Sequence, residues 1–158
     1  MKTGGDPMVS RFEQFSFAIA SIYRSIQKIE REEMDKYGLK GAYAQYLVTL
    51  HRYPEGLTAA RLCEICDLDK AAVSRAVADM EHRGLVERAA SGDRAYRVRL
   101  CLTESGRAAA EYVSRRAQAA VAAAGQDLTE ESRQVMYAAL EGIAARLQHI
   151  SRDGIPEE

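Results

Sequence analysis

Within residues 57–102 the hydrophobic rhythm switches from helical to alternating, and few folds accept that switch in so short a span. LTAARLCEICDL and DKAAVSRAVADMEHRG are each the length of a short helix, and LVERAASGDRAYRVRLCLT reads as strand, turn, strand. Thr58 and Asp69 stand where N-caps belong, and Asp67-Leu68-Asp69 forms the turn between the helices. In the first helix Leu62, Ile65 and Cys66 are expected to be buried. In the second, Val73, Ala76, Val77 and Met80 recur at i, i+3, i+4, i+7 and face a core, while Gly84 ends the helix. Strands are expected over 85–88 and 96–102, with Ser91-Gly92-Asp93 turning between them.

Longer helices flank this segment. A helix over 9–36 carries Phe15, Ile19, Ile22, Ile26 and Ile29 at 4-3-4-3 spacing, and a second is expected over 42–52. Thr103 caps a fifth helix reaching about residue 124, Gly125 breaks it, and Thr129 caps a sixth to about residue 152. Met136, Leu140, Ile143, Leu147 and Ile150 repeat the same spacing in that last helix. Two seams at opposite ends exceed what one small domain can bury, so the terminal helices are expected to pair with a second copy in a two-fold dimer. The organisation is then 8–56 (N-terminal helices, dimerisation), 57–102 (paired short helices and hairpin) and 103–152 (C-terminal dimerisation helices). The fold class is mostly α with a small β-hairpin.

A formal net charge of −1 over 158 residues excludes a polycation that coats nucleic acid, so any such binding needs a local positive field. Residues 58–102 hold eight Lys/Arg against seven Asp/Glu, but within 88–99 Arg88, Arg94, Arg97 and Arg99 face Asp93 alone. On the fourth helix the core-facing set leaves Lys70, Ala71, Ser74, Arg75 and Ala78 outward. Two long bases and a hydroxyl can donate to phosphates or base edges, and the alanines allow close approach to a groove floor. Arg75 suits guanine O6/N7, and Lys70 suits a phosphate. Asp79, one turn beyond Arg75, is placed to hold its guanidinium on the protein surface. In the hairpin Tyr96, Val98, Leu100 and Leu102 alternate with Arg97, Arg99 and Cys101, giving an apolar face and a basic one. Arg94 at the tip suits a narrow minor groove.

These residues together resemble the winged helix-turn-helix of the MarR family of bacterial transcription regulators. The likeness rests on LT at 57–58, DKAAVSRAVADMEHRGLVER at 69–88, an Asp-Arg wing and LTESG at 102–106. The long flanking helices resemble that family's dimerisation region. The resemblance implies a homodimer on a pseudo-palindromic operator in double-stranded DNA, with each recognition helix in a major groove and each wing in the flanking minor groove. It further implies a repressor released by a small phenolic or aromatic ligand. By position, Lys70, Ser74 and Arg75 fall on the recognition helix and Arg94 on the wing arginine. Two departures stand out. Asp67 replaces the Gly common in such turns, and Asp93 and Arg94 are adjacent instead of separated by one residue.

In that architecture the first, second and fifth helices enclose a cleft, so Tyr23, Tyr37, Tyr43, Tyr46 and Tyr112 are candidates to line an effector site. The candidate DNA contacts are Lys70, Ala71, Ser74, Arg75, Arg94, Arg97 and Arg99. No nucleophile–base pair or phosphate loop marks an enzyme, and no cofactor or metal is expected. Cys63 and Cys66 form a lone C-x-x-C on a helix, His51, His82 and His149 lack ligand spacing, and packing explains the pair best. Cys101, outward on its strand, is the more reactive thiol. Three cysteines and a polar start without a signal or membrane segment point to the cytoplasm. The competing readings are a winged helix used for protein contact and a thiol redox sensor.

Overall fold

The computed structural model describes residues 7–90 and 98–156. In chain order they form α1 (Pro7–Lys36), a 3-10 turn (Gly41–Tyr43), α2 (Ala44–His51), α3 (Ala59–Cys66), α4 (Lys70–His82), β1 (Val86–Ala90), β2 (Val98–Leu102), α5 (Glu104–Ala124) and α6 (Glu130–Asp153). The chain divides into two compact units, Met1–Ala120 and Val121–Glu158. Among the described residues no helix is long and apolar enough to cross a membrane.

Local signals set the helix ends. The side chain of Thr58 accepts from the Arg61 amide at 3.2 Å, and that of Asp69 from the Ala72 amide at 2.8 Å. Each satisfies an amide that the first helical turn leaves without a backbone partner. Thr103 accepts from the Gly106 amide at 3.1 Å and donates its hydroxyl to the Gly84 carbonyl at 2.6 Å, so one side chain starts α5 and holds the end of α4. Three helices stop in the same way. Gly38, Asp67 and Gly84 take left-handed backbone, and the next amide reaches back to Met34, Cys63 and Met80 respectively. This is the Schellman pattern, which satisfies carbonyls that would otherwise be orphaned. Asp67 (φ 52°) is the one non-glycine residue with positive φ among those described.

The core of the first unit gathers Met34 from α1, Tyr43, Leu47 and Leu50 around α2, Leu62 from α3, and Val73, Val77 and Met80 from α4. Leu85, Leu100 and Val113 close it from the hairpin and α5. Ile65 and Ala76, expected inside, are only half-buried. The hairpin is antiparallel, with Val86 opposite Leu102 and Arg88 opposite Leu100. Leu57 adds a bridge to Leu100 through two backbone hydrogen bonds of 3.1 and 2.7 Å, anchoring the hairpin to the start of the helix pair. Its apolar face is shorter than the alternation suggested. Leu100 is buried, but Val98 is 44% exposed, because the ladder there has run past the core. Gly106 lets α5 lie on the hairpin: a Cβ there would sit 2.0 Å from the Leu85 carbonyl oxygen.

Toward its N-terminus α1 keeps its apolar stripe uncovered, with Phe12 at 68% and Ile22 at 57% exposure and Phe15 and Ile19 also open. In the second unit Thr129 caps α6, its side chain accepting from the Ser132 amide at 3.1 Å, and no residue of α6 is buried. Leu147 is exposed and Met136, Leu140, Ile143 and Ile150 are half-buried.

Candidate nucleic-acid interface

The fourth helix is two-sided. Val73, Val77 and Met80 are buried, while Lys70, Ala71, Ser74, Arg75 and Ala78 are all exposed on the other side. The structure therefore brings four of the candidate contacts onto one open face, at the end where free amides and the helix dipole favour an anion. Arg75, Lys70 and Ser74 make no side-chain hydrogen bond or ion pair among the described residues.

Asp79 does not restrain Arg75. Its carboxylate takes a hydrogen bond from the phenol of Tyr43, pairs with Lys40 Nζ at 2.5 Å, and receives Arg83 Nε at 3.4 Å. Lys40 and Arg83 also lie 5.6 and 5.8 Å from the centre of the Tyr43 ring. The Lys40 hydrogen bond, reinforced by that of Tyr43, holds the Asp79 carboxyl well below the usual carboxylate range. Burial, reinforced by the hydrogen bond to the carboxylate, pushes the Tyr43 phenol up. Asp79 thus ties α4 to the connection between α1 and α2, and Arg75 is left with its donors available. Spacing on one helix could not reveal this, since Lys40 and Tyr43 lie 39 and 36 residues away in sequence.

The basic residues of the hairpin are partly committed within the protein. Arg99 donates to the carbonyls of Glu55 and Gly56 at 3.3 and 3.1 Å, so it fastens the loop before α3. Arg88 forks onto Glu81 at 2.8 and 3.1 Å. Arg94 and Arg97 lie outside the described residues, as do Ser91, Gly92, Asp93 and Tyr96.

The tyrosines do not converge. Tyr43 and Tyr46 are 2% and 6% exposed and belong to the core. Tyr23 is exposed and accepts from Gln27 Nε2 at 2.9 Å. Only Tyr37 and Tyr112 meet, with ring centres 5.1 Å apart. The Tyr112 hydroxyl donates to Glu33 at 3.3 Å, and Glu33 is buried and also held by Lys36 and Arg116 at 2.7 and 3.0 Å. Cys66 is buried beside Thr49 Oγ1 at 3.6 Å, with burial raising its thiol pKa, and Cys63 is half-buried; both are reduced. Cys101 is half-buried rather than open, since its sulfur lies where a Cβ on Gly56 would be 2.5 Å away.

Residues 37–95 match the model of the MarR family. Over that segment the chain is similar to the MarR family. Solved structures of MarR-type proteins share its fold at low identity. One, a Listeria monocytogenes protein described as a MarR family transcriptional regulator and complexed with 26mer DNA, superposes with a TM-score of 0.70 at 21% identity, over 89% of this chain and 96% of that one. A MarR transcriptional regulator from Methanosarcina mazei Go1 gives 0.73 at 22% identity, over 87% and 99%. A MarR family regulator from Silicibacter pomeroyi gives 0.68 at 24% identity, over 90% and 92%. No curated protein matches the sequence. The match spans the 3-10 turn, α2, α3, α4 and β1.

Proposed function

We propose that this chain is a sequence-specific DNA-binding transcription regulator and not an enzyme. The observation that carries the reading is the open face of α4, where Lys70, Ala71, Ser74 and Arg75 stand together at a capped N-terminus with no internal partner among the described residues. The Listeria monocytogenes relative crystallised with DNA supports it. Arg75 reads a guanine edge, Lys70 and Ser74 hold phosphates, and Ala71 lets the helix approach the bases. Arg94 and Arg97 extend the contact to the minor groove, and Arg99 acts through the loop it fastens.

The working form is a homodimer on a pseudo-palindromic site in the cytoplasm, which pairs the uncovered apolar stripe of α1 with a second copy and sets two recognition helices about one duplex turn apart. Residues 57–102 read DNA, and 8–56 with 103–152 dimerise. It acts as a repressor released by a small aromatic ligand, with the Tyr37–Tyr112 pair as the aromatic wall that remains of the five candidate tyrosines.

The test is a fluorescence-anisotropy titration of the full chain on the promoter fragment of its own gene at several salt concentrations. Several Lys/Arg–phosphate contacts require log K to fall steeply and linearly with log salt. Salt-independent binding, or none to any operator-length duplex, refutes the reading. Ile22→Lys should shift sedimentation toward monomer and abolish operator binding together.

A further inference from the structure

A cavity of about 350 Å³ opens where the end of α2 meets β1, β2 and the first turns of α5. That volume is in the range of sites for small organic ligands. Leu50, Leu102 and the Tyr53 ring form its apolar part, and none of the tyrosines considered above for an effector lines it. Around them stand the Arg107 guanidinium, the Glu87 and Glu111 carboxylates and the Cys101 thiol. None of these four side chains makes a hydrogen bond or ion pair among the described residues, in a unit where Glu33, Asp79, Arg88, Arg99 and Arg116 are all engaged.

Arg107 and Glu111 are four residues apart on α5, a spacing at which opposite charges often pair, yet they stay beyond ion-pair distance; Arg preceding Glu is the less favoured order. A cavity that keeps both signs of charge separate beside an apolar wall is complementary to a ligand carrying both signs and an apolar body. We propose that this cavity binds a small zwitterion of the amino-acid type, its carboxylate on Arg107, its ammonium between Glu87 and Glu111, and its side chain against Tyr53, Leu50 and Leu102. A bound ligand would touch β2 and the loop before α3 at once, the two segments that Arg99 joins. The site is independent of the DNA-binding reading and can be tested without DNA.

Cys101 supplies the readout. In the full-length Cys63→Ala chain, with Cys66 buried, the rate of labelling by a thiol reagent reports access to Cys101. L-phenylalanine should slow that labelling saturably. L-phenylalaninamide, lacking the carboxylate, and N-acetyl-L-phenylalanine, lacking the ammonium, should each protect about tenfold less well. Arg107→Gln and Glu111→Gln change exposed side chains, should leave the thermal midpoint in place, and should each abolish protection. No protection by phenylalanine, equal protection by all three probes, or protection that survives both substitutions would overturn the proposal.

Discussion

The phenol of Tyr43 donates to the carboxylate of Asp79, so a core residue next to the start of α2 holds α4 from its side. Tyr43→Phe keeps the ring in the core and removes that donor, which should cost about 1 kcal/mol of stability in urea titrations. The acid limb is more telling. The folded Asp79 carboxyl titrates below its ordinary range, so its contribution is fully present above that range and is lost progressively as pH falls below it toward the depressed folded value. Asp79→Asn should therefore be less stable than wild type near neutral pH, and the gap should narrow toward about pH 3. A gap that stays constant with pH contradicts the arrangement.

Arg75→Ala should weaken binding to the preferred operator by about 1–3 kcal/mol and relax the preference at one base position. Lys70→Ala should weaken all duplexes alike and reduce the salt slope by about one. Anisotropy on single-base operator variants separates the two effects.

Arg99→Ala removes two hydrogen bonds to the loop carbonyls of Glu55 and Gly56. The expected loss is about 1–2 kcal/mol in global stability, seen without DNA present. Proteolysis should then cut first near residues 54–57. A pure DNA contact at Arg99 would lower affinity and leave the unfolding midpoint unchanged.

Gly106→Ala forces a methyl against the Leu85 carbonyl, where the neighbouring atom is backbone and cannot swing aside. It should destabilise the protein by about 1–3 kcal/mol, although alanine favours a helix, as thermal unfolding will measure.

The order of elements, the caps at Thr58, Asp69, Thr103 and Thr129, and the outward face of α4 were legible in the residues, because caps and helical periodicity are local. What was not legible depended on contacts across the chain. Asp79 was placed against Arg75 from spacing alone, whereas its partners arrive from Lys40 and Tyr43. Tyr43 and Tyr46 resembled cleft residues, but periodicity cannot distinguish a tyrosine that lines a cavity from one that fills a core. Arg99 alternates outward as expected, yet its length lets it reach back to the loop carbonyls. Ala42 and Tyr43 belong to a 3-10 turn and not to the start of α2, and both structures are compatible with the same short pattern.

The joint between α3 and α4 closes on Asp67 in a mirror-handed conformation that glycine occupies without strain. The protein thus holds an unspent margin of stability at the turn between α3 and α4. Asp67→Gly should raise the melting temperature modestly, by about 0.5–1 kcal/mol of relieved strain, while leaving every outward side chain of α4 where it stands.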